Sequence, residues 1–132
     1  METVTTTSRL RFDAEKRIMY VTANAGAMFD VEQVRENKFA ALSIADGEVF
    51  SLLFMTDGDI TVTPQARQLQ ASAEFCEGLY AVGLMSASQT MKILANFYLR
   101  INRPEIPTRF FVRLESAEEW LASFVPSRAN TL

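Results

Sequence analysis

The sequence lacks histidine altogether and contains a single cysteine, Cys76. Histidine is the commonest ligand of zinc, copper and non-haem iron, and it is also the usual general base beside a nucleophile. Serine–histidine and cysteine–histidine catalytic systems are therefore excluded. A lone cysteine forms no disulfide within the chain, which agrees with a reducing compartment. We predict no metal site, no cofactor and no enzymatic activity.

Long apolar runs are also missing, since no stretch approaches the roughly 18 residues that a membrane-spanning helix needs. The N-terminus, METVTTTSRLRF, has no basic segment followed by an apolar core, so it does not resemble a signal peptide. The net charge of −3 gives no general electrostatic reason to bind nucleic acid or an anionic membrane. We therefore expect a cytoplasmic protein with no membrane span and no nucleic-acid partner.

The length of the chain predicts one domain of ordinary size. Its 132 residues are enough for a single hydrophobic core, and a hydrophobic content of 48% is typical of a globular protein. We predict a disordered N-terminal tail over residues 1–8, one α/β domain over 9–125 and a frayed C-terminal tail over 126–132.

Five segments have the alternating or continuous apolar pattern of β-strands. Continuous runs indicate strands that are covered on both faces, and alternation indicates an edge or half-wet strand. The predicted strands lie around Leu10 and Phe12, and over residues 17–23, 48–55, 79–85 and 108–114.

Four helices follow from capping signals. A helix cap is a serine, threonine or aspartate whose side chain accepts a hydrogen bond from the first turn, often with glutamate or glutamine three residues later. The predicted caps are Asp30 with Gln33, Thr63 before Pro64, Ser86 with Gln89, and Ser116 with Glu119. The resulting order β-β-α-β-α-β-α-β-α predicts an α/β fold with a mixed, mostly parallel five-stranded sheet and four helices.

The segment NFYLRINRPEIPTRFF, with ESAEEWL after it, resembles the C-terminal half of bacterial proteins of the STAS-like, SpoIIAA-like group. These proteins are related by fold to the anti-sigma-factor antagonists. In them a hinge of the N-R-P-x-x-P-T type ends the third helix, and the last helix packs back onto the sheet. The resemblance implies a STAS-like fold, a bacterial source and a protein-interaction or regulatory role.

The phosphorylation motif of the switched antagonists, Asp-Ser-Ser/Thr-Gly, is absent from the corresponding loop. Here Gly58 and Asp59 occupy the positions of the hydroxyl residues. We nevertheless take Asp57, Asp59, Thr61 and Thr63 as a candidate interaction or switch loop, since a phosphate on Thr63 would lie at a helix N-terminus. The alternative for Thr63 is a helix cap without a regulatory role. For Asp57 and Asp59, two carboxylates could hold magnesium, and the alternative is a turn.

The third predicted helix carries Lys92, Asn96, Arg100 and Arg103 on one narrow polar arc. The rest of its circumference, which includes Phe97 and Tyr98, is apolar. Such a wide apolar arc indicates burial within the domain, contact with a second chain, or an apolar ligand. We take these six residues as a candidate ligand or partner surface.

Two functional hypotheses follow. The first is a non-catalytic STAS-like domain that binds an unknown protein partner, and forms a homodimer, through the loop from Asp57 to Thr63 and the second predicted helix. If all four helices lie on one face of the sheet, a second subunit would cover the other face. The alternative is a carrier or sensor of a lipid or other apolar small molecule, as in Sec14-like binding. In that case Phe97 and Tyr98 line a cavity, with Arg100 or Arg103 at its mouth.

Overall fold

The structure of the protein is a computed structural model that describes residues 1–127. Within that range the strands are β1 Glu2–Val4, β2 Ser8–Asp13, β3 Ile18–Ala23, β4 Met28–Phe29, β5 Phe50–Thr56, β6 Thr61–Val62, β7 Leu79–Met85 and β8 Thr108–Phe111. The helices are α1 Val31–Ala45, α2 Pro64–Ala71, α3 Ala73–Cys76, α4 Gln89–Ile101 and α5 Leu114–Ala122.

The main sheet of the described residues has six strands in the order β1-β2-β3-β5-β7-β8, whereas five were predicted. β1, β2 and β3 pair antiparallel, and β3, β5, β7 and β8 pair parallel. The mixed, mostly parallel sheet is therefore as expected. A separate parallel ribbon joins β4 to β6.

The extra strand is β1, which lies in the segment 1–8 where a disordered tail was predicted. Its residues pair with β2, in a register that places Thr3 opposite Leu10, and the amide of Phe12 donates to the carbonyl of Met1. The threonine- and valine-rich run 3–7 has a high propensity for extended structure. Because the β2–β3 hairpin offers a free edge, this segment adds to the sheet.

The described residues form five helices rather than four, because the second predicted helix breaks at Ser72. Ser72 has extended backbone angles, φ −78° and ψ 158°, and its hydroxyl accepts a hydrogen bond from the amide of Phe75. The serine thus ends α2 and caps α3. Serine competes well for such local hydrogen bonds, which is why it favours caps over helix interiors.

Two of the four predicted caps are confirmed and two are wrong. Asp30 and Gln33 form the expected capping box of α1, and Thr63 caps α2 with proline at the first helical position. The third cap is Ser88 rather than Ser86. Ser86 directly follows β7, and its amide donates to the carbonyl of Phe111 in β8. α5 begins two residues earlier than Ser116, after Arg113, with no side-chain cap.

Helices cover both faces of the sheet. α1, α2 and α4 pack on one face, where the buried side chains include Val21, Leu52, Val34, Ala66 and Met91. α5 packs on the other face through Ala117 and Leu121, against Ile18, Leu53 and Ala81. The domain is therefore a three-layer sandwich. The condition under which a second subunit would be needed to cover the sheet, all helices on one face, is not met in the described residues.

Gly83 allows α5 to lie close to the sheet. A Cβ atom at this position would come within 3.0 Å of Leu53 Cδ1 and 3.3 Å of Leu121 Cδ1. Contacts of that length force neighbouring atoms to shift. The absence of a side chain on β7 therefore contributes directly to the fit of the last helix.

The C-terminal end of the described range is attached to the domain. The carbonyl of Pro126 accepts a hydrogen bond from Nη2 of Arg17. Of the predicted frayed tail over 126–132, residues 126 and 127 are described, and residues 128–132 lie outside the described residues. Among residues 1–127, none of the helices combines the length and apolarity needed to cross a bilayer.

Candidate functional site

A cavity of about 110 Å³ lies between one face of the sheet and helices α1, α2 and α4. Its floor consists of strand side chains such as Val21, Leu52 and Val82, and its roof consists of helix side chains such as Met91 and Ala95. Protein interiors contain few voids larger than a water molecule. A gap of this volume within the core is therefore a candidate binding site.

The cavity is partly open to the surface, and half-buried side chains lie on more than one side of it, including Lys38 on α1 and Arg67 on α2. The lining residues Arg67 and Gln70 on α2 and Leu94 on α4 are only half-buried, whereas Met91 and Ala95 are buried. We take the half-buried residues of α2 and α4 as the mouth of the cavity, and the buried residues as its interior. A small molecule would enter from this side.

Arg67 is the charged side chain at this mouth. Its Nη1 donates a 2.8 Å hydrogen bond to the carbonyl of Val62, and its guanidinium carbon lies 5.3 Å from the centroid of the Phe97 ring. Its Nε atom is buried and has no acceptor within residues 1–127. Buried polar atoms are normally hydrogen-bonded, so this donor is unusual.

Lys38 is the second cation on the cavity wall, and two of its three N–H donors are bonded to backbone carbonyls. Its ammonium group donates to the carbonyls of Phe75 and Glu77, the latter at 2.9 Å, and lies 5.0 Å from the ring centroid of Phe75. Burial lowers the pKa of Lys38 from its usual value. Lys38 therefore connects α1 to the segment that ends α3, which is a structural task.

Tyr98 and Phe97, predicted to act together, point in different directions. Tyr98 is buried and lines the cavity, and burial raises the pKa of its hydroxyl above the usual value. Phe97 is 39% exposed and lies under the guanidinium of Arg67 at the surface. One of the two aromatic residues thus belongs to the interior and the other to the mouth.

The predicted polar arc of α4 is shorter than expected. Lys92, Asn96 and Arg100 are exposed on the helix, but Arg103 lies beyond its end with a left-handed backbone, φ 51°. Neither Arg100 nor Arg103 lines the cavity. The cation at the mouth is Arg67, which sequence reasoning missed, because its approach to Val62 and Phe97 depends on how α2 and α4 are placed on the sheet.

The candidate switch loop does not form a single site. Asp57 makes a 3.0 Å ion pair with Arg9 at the surface, whereas Asp59 accepts a 2.6 Å hydrogen bond from Ser88. Thr61 is exposed in the short strand β6. Within residues 1–127 no group of three or more histidine, cysteine, aspartate or glutamate side chains is arranged to hold a metal ion.

Instead, this loop connects the N-termini of three helices. Thr63 accepts a 3.1 Å hydrogen bond from the amide of Ala66 in α2 and donates a 2.9 Å bond to Asp30, the cap of α1. Asp59 similarly contacts Ser88, the cap of α4. The hydroxyl of Thr63 therefore acts as a helix cap, and a phosphate there would lie beside the carboxylate of Asp30.

Comparisons with known proteins identify a family for this chain and a solved structure with a similar fold. The family model described as Domain of unknown function (DUF7793) matches residues 12–125. None of the curated proteins matches the chain. Among solved structures, an uncharacterized protein of the DUF3478 family with a SpoIIAA-like fold, from Shewanella loihica PV-4, is 13% identical, with a TM-score of 0.56 over 92% of this chain and 98% of that one. At that identity the likeness shows the fold alone, and it confirms the SpoIIAA-like resemblance.

Proposed function

This chain belongs to the DUF7793 family, whose function is unknown, and we propose that it is a carrier or sensor that binds a small apolar molecule between its sheet and helices α1, α2 and α4. The observation that supports this proposal is the cavity of about 110 Å³ with a mostly apolar lining. An apolar molecule bound there would remove apolar surface of the cavity wall from water. Binding sites are typically concave and apolar, with a few polar groups near the entrance.

The volume limits the ligand. An engineered apolar cavity of about 150 Å³ in another protein stays dry and binds benzene. A cavity of about 110 Å³ therefore suits one aromatic ring or a short alkyl chain. The two acyl chains of a membrane lipid exceed this space, so the proposed ligand is smaller than the lipid considered from the sequence.

Native mass spectrometry of freshly purified protein tests the proposal. We expect an additional mass that leaves under denaturing conditions, or, for an empty protein, a rise in melting temperature on adding toluene. Ala95→Phe places a ring in the cavity and should abolish the effect of toluene. Ala122→Phe, on the exposed side of α5, is the matched control and should preserve it. The proposal would be contradicted if toluene raised the melting temperatures of Ala95→Phe and Ala122→Phe equally and mass spectrometry found no bound ligand in the wild-type protein.

A second candidate, a protein-interaction domain that forms a homodimer, is favoured by the exposed side of α4. Ile93, Phe97 and Ile101 recur every fourth residue there and are 63%, 39% and 57% exposed. Apolar side chains aligned in this way on a helix commonly meet a partner. In the loop from Asp57 to Thr63, Asp59 and Thr63 bond to residues that cap helices. We therefore propose that the protein partner contacts α4 rather than this loop.

Light scattering at several protein concentrations tests the second candidate. We expect a dimer that Ile101→Lys converts into a monomer, because a charge would be buried in the interface. Val112→Lys, at a position that is also 63% exposed but lies outside α4, should leave the dimer intact. A monomeric wild-type protein at every concentration would exclude the homodimer.

A further inference from the structure

We propose that the ligand is a small aryl or alkyl carboxylate, whose apolar part fills the cavity while its carboxylate contacts Arg67 at the mouth. This inference rests on the proposed ligand-binding function and specifies its chemical class.

The cavity wall is positively charged although the protein as a whole is acidic. The net charge of the chain is −3, yet the charged residues that line the cavity are Lys38 and Arg67, without any aspartate or glutamate. Electrostatic attraction near such a wall is stronger than in bulk water, because apolar surroundings screen charges poorly. An anionic group at the mouth is therefore favoured over a neutral or cationic one.

Arg67 has donors to spare. A guanidinium group carries five N–H donors, and the hydrogen bond to Val62 occupies one of them. The second terminal nitrogen of Arg67, Nη2, makes no hydrogen bond within residues 1–127 and is not among the buried unsatisfied atoms, and none of the ion pairs formed there includes Arg67. A carboxylate is the acceptor that matches a planar guanidinium best, often through two parallel hydrogen bonds.

The position of Arg67 is already set before a ligand arrives. Its guanidinium group lies over the Phe97 ring of α4 and is bonded to the carbonyl of Val62 before α2. A side chain held in this way loses little conformational freedom on binding. Lys38, by contrast, has one N–H donor left after its two bonds to backbone carbonyls, and an ammonium group lacks the planar pair of donors of a guanidinium, so we assign the carboxylate to Arg67.

The decisive comparison uses phenylacetate and its neutral isostere 2-phenylacetamide, titrated into wild-type protein by calorimetry. We expect phenylacetate to bind at least about tenfold more tightly, as a charge-assisted hydrogen bond contributes roughly 1.5–3 kcal/mol. Arg67→Met should remove this preference while toluene still binds. Arg100→Met, an exposed cation on α4 that does not line the cavity, is the matched control and should retain the preference.

The outcomes separate this inference from the proposed function. If toluene and the amide bind as tightly as the acid, the carboxylate assignment is overturned and the apolar site survives. If toluene, acid and amide all fail to bind and no native ligand is found, both proposals fail. The comparison of acid with amide in wild-type protein needs no variant, so it remains decisive even if Arg67→Met does not fold.

Discussion

The guanidinium carbon of Arg67 lies 5.3 Å from the centroid of the Phe97 ring, which joins α2 to α4 across the mouth of the cavity. The two residues are thirty positions apart in the chain, and their meeting depends on both helices packing on the same face of the sheet. A cation over an aromatic face contributes about 0.5–1 kcal/mol at an exposed site. The contact therefore holds the mouth in place without closing it.

The cap at Thr63 gives a test of the loop that connects the helices. Thr63→Ala removes the hydrogen bonds to Ala66 and Asp30, and should lower the free energy of unfolding by about 1–2 kcal/mol. Thr63→Ser keeps the hydroxyl and should recover most of this loss. Urea denaturation measures both variants. An alanine variant as stable as the wild type would show that the cap does not stabilise α2.

The docking of α5 gives a second test. Leu121 is fully buried against the sheet, whereas Leu114 of the same helix is 40% exposed. Leu121→Ala should therefore cost about 2–5 kcal/mol of unfolding free energy. Leu114→Ala, the matched control, should cost far less because its side chain is already partly in water. Equal losses in urea denaturation would contradict the three-layer arrangement.

Two buried tyrosines predict how stability changes at high pH. Burial is the largest cause that raises the pKa of both Tyr20 and Tyr98, and for Tyr20 the hydrogen bond to Glu118 adds to it. In the unfolded chain a tyrosine loses its proton near pH 10, while the folded phenols keep theirs, so the folded state binds more protons above that pH. The stabilising contribution is complete below about pH 10 and is lost as the pH rises further.

The expected slope is up to about 1.4 kcal/mol per pH unit for each tyrosine. Tyr98→Phe should therefore make the decline above pH 10 shallower, and urea denaturation at pH 8 and pH 11 measures the difference. Tyr80→Phe serves as the comparison, because Tyr80 is only half-buried. A decline that is the same in wild type and Tyr98→Phe would show that Tyr98 ionises normally in the folded protein.

The parts of the fold that were predictable depend on local interactions. Asp30 and Gln33 form a capping box within one helical turn, and Thr63 before Pro64 caps α2 by an equally local contact. The apolar run over residues 79–85 coincides with β7, because a strand covered on both faces needs no polar alternation. Alternation of strands and helices then predicts a parallel sheet with short connections.

The parts that were missed depend on tertiary contacts. Ser86 and Ser88 both precede α4, but the amide of Ser86 donates to the carbonyl of Phe111 in the neighbouring strand β8, directly after the end of β7, and Ser88 caps the helix. β1 forms only because β2 presents a free edge. The cavity is a gap between packed side chains, which leaves no pattern in the sequence. Arg67 gains its position from Val62 and Phe97, so no pattern within α2 alone indicates that it lines the cavity.

The central claim is that the cavity binds a small apolar molecule, and a crystal structure under xenon pressure tests it most directly. Xenon enters apolar cavities that water leaves dry. The account predicts a xenon peak in contact with Met91, Ala95 and Val82 in wild-type crystals, and its disappearance in Ala95→Phe. Xenon that binds only on the exposed side of α4, with a collapsed and empty cavity, would contradict the account.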